Sequence, residues 1–127
     1  MSSPPGTAIR RAAAITALAS LALGAFTAIY RGPFWRFFRG YVGDVAAAAL
    51  VFALVSLAWP HRRGVRVAIT AAICLTVEIA QALRAPPQST AAELLLGGHL
   101  DPWDLLAYAI GIALAAVWEH RRGRTRR

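Results

Sequence analysis

The sequence predicts an all-α, polytopic membrane protein with four transmembrane helices and a short interfacial or re-entrant helix between the third and fourth. Three observations lead there. Four apolar runs divide the 127 residues. Hydrophobic residues make up 57% of the chain against 16% charged, and the mean hydropathy of +0.50 lies outside the range of an ordinary soluble domain. The charges fall in short clusters between the runs, and all fourteen basic residues are arginine. A soluble four-helix bundle would show one polar stripe per helix. Runs such as AAAALVFALVSLAW are apolar all round. The expected organisation is one integral membrane domain over residues 1–127, with helices at about 9–30, 43–59, 65–84 and 102–119, a short helix at about 91–96 and a basic tail at 120–127.

The first run, residues 12–30, is nineteen residues without a charge, enough to cross a hydrocarbon core of about 30 Å at 1.5 Å per residue. Arg10-Arg11 before it resembles the start of a secretory signal. The run is long for that role, however, and ends in Ile29-Tyr30-Arg31 with no small-residue cleavage site. The runs at 45–59, 67–83 and 105–118 are shorter, and their helices extend into the flanks. RGPFWRFFRGYVG, between the first two helices, reads as a basic, aromatic outer loop: an interfacial aromatic belt, or a lid or headgroup-binding rim. In the fourth helix Ala107, Gly111 and Ala115 form a small-residue stripe suited to close packing.

Arginine placement sets the expected orientation. Ten of the fourteen arginines flank the N-terminus, the second connection and the C-terminus, and four lie on the other side. The positive-inside rule then places both termini in the cytoplasm. The tail EHRRGRTRR reads first as a topology anchor and second as a contact for anionic lipid headgroups. The arginines never interleave with aromatics on a polar face, so nucleic-acid binding is not expected. A lone cysteine, Cys74, excludes an internal disulfide.

In that orientation the polar residues gather at the outer side. Glu78, Gln81 and Arg84 lie in the outer half of the third helix; Asp44 and Asp104 lie at the outer ends of the second and fourth. Each has a structural alternative. Gly43-Asp44 resembles an N-cap, and Asp101-Pro102-Trp103-Asp104 combines a cap, a first-turn proline and an early acid. Tyr108 follows Asp104 on the same helix face. Glu78 is too far from a helix end to cap one, and an acid at that depth points to function. Its expected partner is Gln81 or Tyr108, with Arg84 snorkelling to the headgroups. Thr90-Ala-Ala-Glu93 reads as a capping box that opens the short helix, closed by Gly97-Gly98.

The order Gly43-Asp44, Glu78-x-x-Gln81, Gly97-Gly98 and Asp104-x-x-x-Tyr108-x-x-Gly111 resembles the small bacterial membrane proteins of domain-of-unknown-function family 2809. More distantly it is similar to the VanZ-like proteins linked to glycopeptide resistance, from which Tyr108 departs where an asparagine is expected. The resemblance covers residues 31–120. It implies an architecture and a site rather than a reaction.

No Walker loop, nucleophile motif or His/Cys metal spacing is present, so no catalytic residue, metal or cofactor is assigned. The expected role is that of a non-enzymatic inner-membrane protein of the bacterial cell envelope. Its outward-facing polar pocket, formed by Glu78, Gln81 and Asp104 with Tyr108, Arg84 and Asp44 around them, would bind a lipid or a lipid-linked envelope precursor headgroup. A small proton-coupled transporter and a structural or assembly protein without a ligand are the alternatives. Membrane lipids are the expected partners, and the sequence leaves a homo-oligomer open.

Overall fold

A computed structural model describes residues 4–83 and 102–124. Arg84, His99, Asp101 and the short helix expected at 91–96 lie outside the described residues. All regular structure among the described residues is helical.

Helix α1, Pro5–Ile29, opens with a proline in its first turn, where the missing N–H costs nothing. After Tyr30 the chain turns through Phe34, the one described non-glycine residue in the left-handed region, at φ 60°. A single helical turn, α2 (Trp35–Phe37), passes into a π-helical turn (Phe38–Val42), which runs directly into α3 (Gly43–Ala58). Most of the expected outer loop is therefore helix. Tyr30 and Phe38 meet edge to face with ring centroids 5.2 Å apart, and Phe37 lies 5.4 Å from Tyr41. These contacts give the aromatic segment a packed surface that a loop would lack. Asp44 accordingly sits inside continuous helix and makes no capping bond, contrary to its N-cap reading. Helix α4 is Arg63–Leu83, and α5, Pro102–Arg124, continues five residues beyond the expected end at 119.

Helix α3 is central. It packs most extensively against α1 and α5, and less against α4, which also touches α5. The α3–α5 crossing is close because Gly111 lacks a side chain: a Cβ there would collide with the Val45 carbonyl oxygen and come within 3.0 Å of the Ala48 Cβ. Ala107, Gly111 and Ala115 are all buried along this crossing, so the small-residue stripe read from the sequence forms the contact.

Burial is inverted relative to a water-soluble bundle. Ser20, Thr27, Ser56, Arg66, Thr70, Glu78 and Glu119 are buried, whereas Leu18, Leu21, Ile29, Leu54, Leu114 and Val117 are each more than half exposed. Small and polar groups inside with large apolar groups outside is the arrangement that lipid favours, because apolar contact between helices gains nothing over contact with lipid tails. Three described stretches are long and apolar enough to cross a membrane: Gly6–Ile29, Trp35–Ala58 and Arg63–Gln81.

Candidate functional site

Three helices each carry a stripe at i+4 spacing. On α3 it is Asp44, Ala48, Phe52 and Ser56; on α4 it is Arg66, Thr70, Cys74 and Glu78; α5 places Asp104, Tyr108, Ile112, Ala115 and Glu119 along one face. Residues four apart lie on one helix face, so these stripes meet in a common seam. Its middle is the apolar core of Ala48, Phe52, Cys74, Tyr108, Ile112 and Ala115. Polar groups close both ends, about 18 Å apart along α4 at 1.5 Å per residue.

The first end gathers four of the six residues expected from the sequence: Asp44, Glu78, Asp104 and Tyr108. Glu78 is only 3% exposed, and the Tyr108 hydroxyl donates to its Oε2 at 3.1 Å, joining α4 to α5. The carboxyl groups of Asp44 and Asp104, both half-buried, are in hydrogen-bonding contact across α3 and α5. Asp44, Glu78 and Asp104 are near enough to one another, and to Tyr108, to interact electrostatically. Gln81, expected in the same group, is exposed in the last turn of α4. Arg84 lies outside the described residues.

The second end was read from the sequence only as topology. Arg66 is 2% exposed and forms a bidentate ion pair with Glu119, at 2.6 Å from Nη1 to Oε2 and 2.7 Å from Nη2 to Oε1. Nη1 also donates to Ser56 Oγ at 2.7 Å and Nε to the His61 carbonyl at 3.2 Å, while the guanidinium carbon stands 5.4 Å from the Phe52 ring centre. Just outside, Arg63 Nη2 lies 2.9 Å from His120 Nδ1. No buried side-chain polar atom among the described residues lacks a partner. A signal for this network was present. Arg66 is the first member of the α4 i+4 stripe that ends at Glu78, and so shares the face of a residue already read as buried.

The described residues hold no group of three or more metal-ligating side chains that could bind a metal ion. Acids, a phenol and an arginine fork suit hydrogen bonding, charge pairing and proton exchange.

The family model described as "Protein of unknown function (DUF2809)" matches residues 34–112. The chain belongs to this family. The matched region runs from the turn at Phe34 into the first half of α5. It contains Asp44, Glu78, Asp104 and Tyr108, and Arg66, but stops short of Glu119. No curated protein and no solved structure matches the chain.

Proposed function

We propose that the protein is a four-span membrane protein, α5 being the fourth span, whose cluster of Asp44, Glu78, Asp104 and Tyr108 receives a polar headgroup from the bilayer. The single observation that carries this reading is the convergence of carboxyl groups from α3, α4 and α5 with a phenol at one end of an otherwise apolar seam. Acids placed at membrane depth are costly, and their usual role is to meet a substrate, an ion or a proton. Carboxyl and phenol groups together suit a cationic or hydroxyl-rich headgroup, of a membrane lipid or a lipid-linked envelope precursor. The arginine distribution supports an orientation with both termini in the bacterial cytoplasm and this cluster facing outward.

Mass spectrometry of what copurifies in mild detergent tests the reading, comparing wild type with Glu78→Gln and Tyr108→Phe. A specific lipid retained by wild type and lost from folded Glu78→Gln is the expected result. Equal retention in both variants rejects headgroup binding at this cluster. The orientation is tested separately by Ser89→Cys in a Cys74→Ala background: a membrane-impermeant thiol reagent should label it on intact cells.

Proton-coupled transport is the second reading, favoured by one observation. The Arg66–Glu119 pair puts a second polar cluster at the far end of the same seam, so ionisable groups stand at both ends of one path. Proton uptake into proteoliposomes, abolished by Asp104→Asn, would support it over binding alone.

A further inference from the structure

The bundle end opposite the acid cluster is assembled from three parts of the chain. The start of α1 reaches the end of α3, where a Cβ on Gly6 would lie 3.7 Å from the Pro60 ring. Ser56, Arg66 and Glu119 tie the ends of α3 and α5 to the start of α4. This folding gathers Arg10, Arg11, Arg62, Arg63, Arg122 and Arg124 at one end, all exposed. Of the four described acids, Asp44, Glu78 and Asp104 sit at the far end. The fourth, Glu119, is 6% exposed with both carboxylate oxygens bound by Arg66 inside the bundle. The fold thus turns the one described carboxylate of this end inward and the guanidinium groups outward, a separation that arginine counts along the sequence do not reveal.

Two tryptophans mark the depth of this face. Trp59 closes α3 and is 56% exposed, and Trp118 lies under Arg122, whose guanidinium carbon is 4.2 Å from the ring centre. Tryptophan favours the membrane–water boundary, so the arginines stand at the level of the lipid phosphates. Their planar forks match a phosphate group bidentately.

We infer that this face is a binding surface for the phosphate headgroups of anionic phospholipids, with the buried Arg66–Glu119 pair keeping it cationic. It is separate from the acid cluster and does not depend on the function proposed for that cluster. Basic residues at a membrane surface each raise affinity for anionic lipid by about fivefold at moderate salt, equivalent to about 1 kcal/mol.

The test uses the full-length protein in nanodiscs with equal amounts of phosphatidylcholine and phosphatidylglycerol in both leaflets, so that membrane orientation does not matter. Lipids that remain bound are counted by native mass spectrometry. Wild type should retain phosphatidylglycerol over phosphatidylcholine, and the preference should shrink as salt is raised. The double variants Arg62→Gln/Arg63→Gln and Arg122→Gln/Arg124→Gln should each lower that preference by an order of magnitude. Should a glutamine pair reduce the yield of folded protein, the matching lysine pair retains the charge and should retain most of the preference. An unchanged preference in both doubles of this face overturns the inference. So does copurification of nucleic acid or a protein, in place of lipid, that those doubles release.

Discussion

The α1–α3–α5 unit and helix α4 solve one problem in two ways. Between α1, α3 and α5 the buried residues are mostly small: Ala12, Ala13 and Ser20 on α1, Ala46, Ala48 and Ala53 on α3, and Ala107, Gly111 and Ala115 on α5. Backbones approach closely there, and dispersion over a long contact holds the helices together. The buried face of α4 is Arg66, Thr70, Cys74 and Glu78. It packs less extensively and is fastened near its two ends by side-chain bonds, Arg66–Glu119 and Tyr108–Glu78. Where lipid already satisfies apolar surface, a helix can be held by fit or by polar ties. This protein assigns the two means to different helices.

Substitutions should separate the two modes. The largest effect is expected for Arg66→Ala, which leaves Glu119 buried without its cation, at a cost of roughly 3–5 kcal/mol. Unfolding in mixed detergent micelles should show it, and the double variant Arg66→Met/Glu119→Leu should recover most of the loss. If the double variant is no better than the single, α4 depends on the shape of this site rather than on its charges. Next comes Gly111→Val, which forces the α3–α5 crossing apart at the Val45 carbonyl, for about 1–3 kcal/mol. Gly24→Ala is the control, since a Cβ there meets nothing within 4 Å, and it should be neutral or slightly stabilising. A Gly111→Val cost above that of Arg66→Ala would reverse the order of the two modes.

Smaller effects sharpen the contrast. Tyr108→Phe should cost about 0.6 kcal/mol, the average for a hydrogen bond between membrane helices. A double-mutant cycle with Glu78→Gln should return a coupling of the same size. Ser56→Ala should cost about 0.5 kcal/mol at most, because Glu119 still holds the Nη1 of Arg66. A larger loss would make Ser56 the positioning residue for the ion pair.

Much of this arrangement was legible in the sequence, for reasons that are themselves physical. Apolar runs with no polar face gave the helices, and the spacing of Ala107, Gly111 and Ala115 gave the α5 contact, because both are periodic and local. The depth of Glu78 and its spacing from neighbouring charges pointed to the acid end. Arg66 was hidden by its context. It follows Arg62 and Arg63 at a membrane boundary, where arginine has an adequate explanation in topology, and its partner Glu119 lies 53 residues away next to a basic tail. Asp44 was misread for a related reason. Glycine followed by aspartate is a good helix start, but the aromatic segment before it packs on itself and carries the helix back to Trp35. Pair contacts between distant residues leave no local signature when each partner already has an ordinary role.

The polar ties also constrain how the chain is built into the membrane. Gly6–Ile29 and Trp35–Ala58, with mean hydropathies of 1.9 and 2.0, are the most apolar of the described stretches, although the second carries Asp44. Helix α4 carries Arg66 and Glu78, and α5 carries Asp104 and Glu119. A charged residue costs up to about 3 kcal/mol to insert singly, less toward the helix ends. On the four-span reading, the Arg66–Glu119 and Glu78–Tyr108 bonds form only when α4 and α5 lie together, so these two helices should leave the translocon as a hairpin. Glycosylation mapping of nascent chains should then find α5 untranslocated when it follows an unrelated span, and correctly placed once α4 precedes it. That result would make the order of synthesis part of the fold, with the first two long helices committed before the ion pair exists and α4 and α5 waiting for each other.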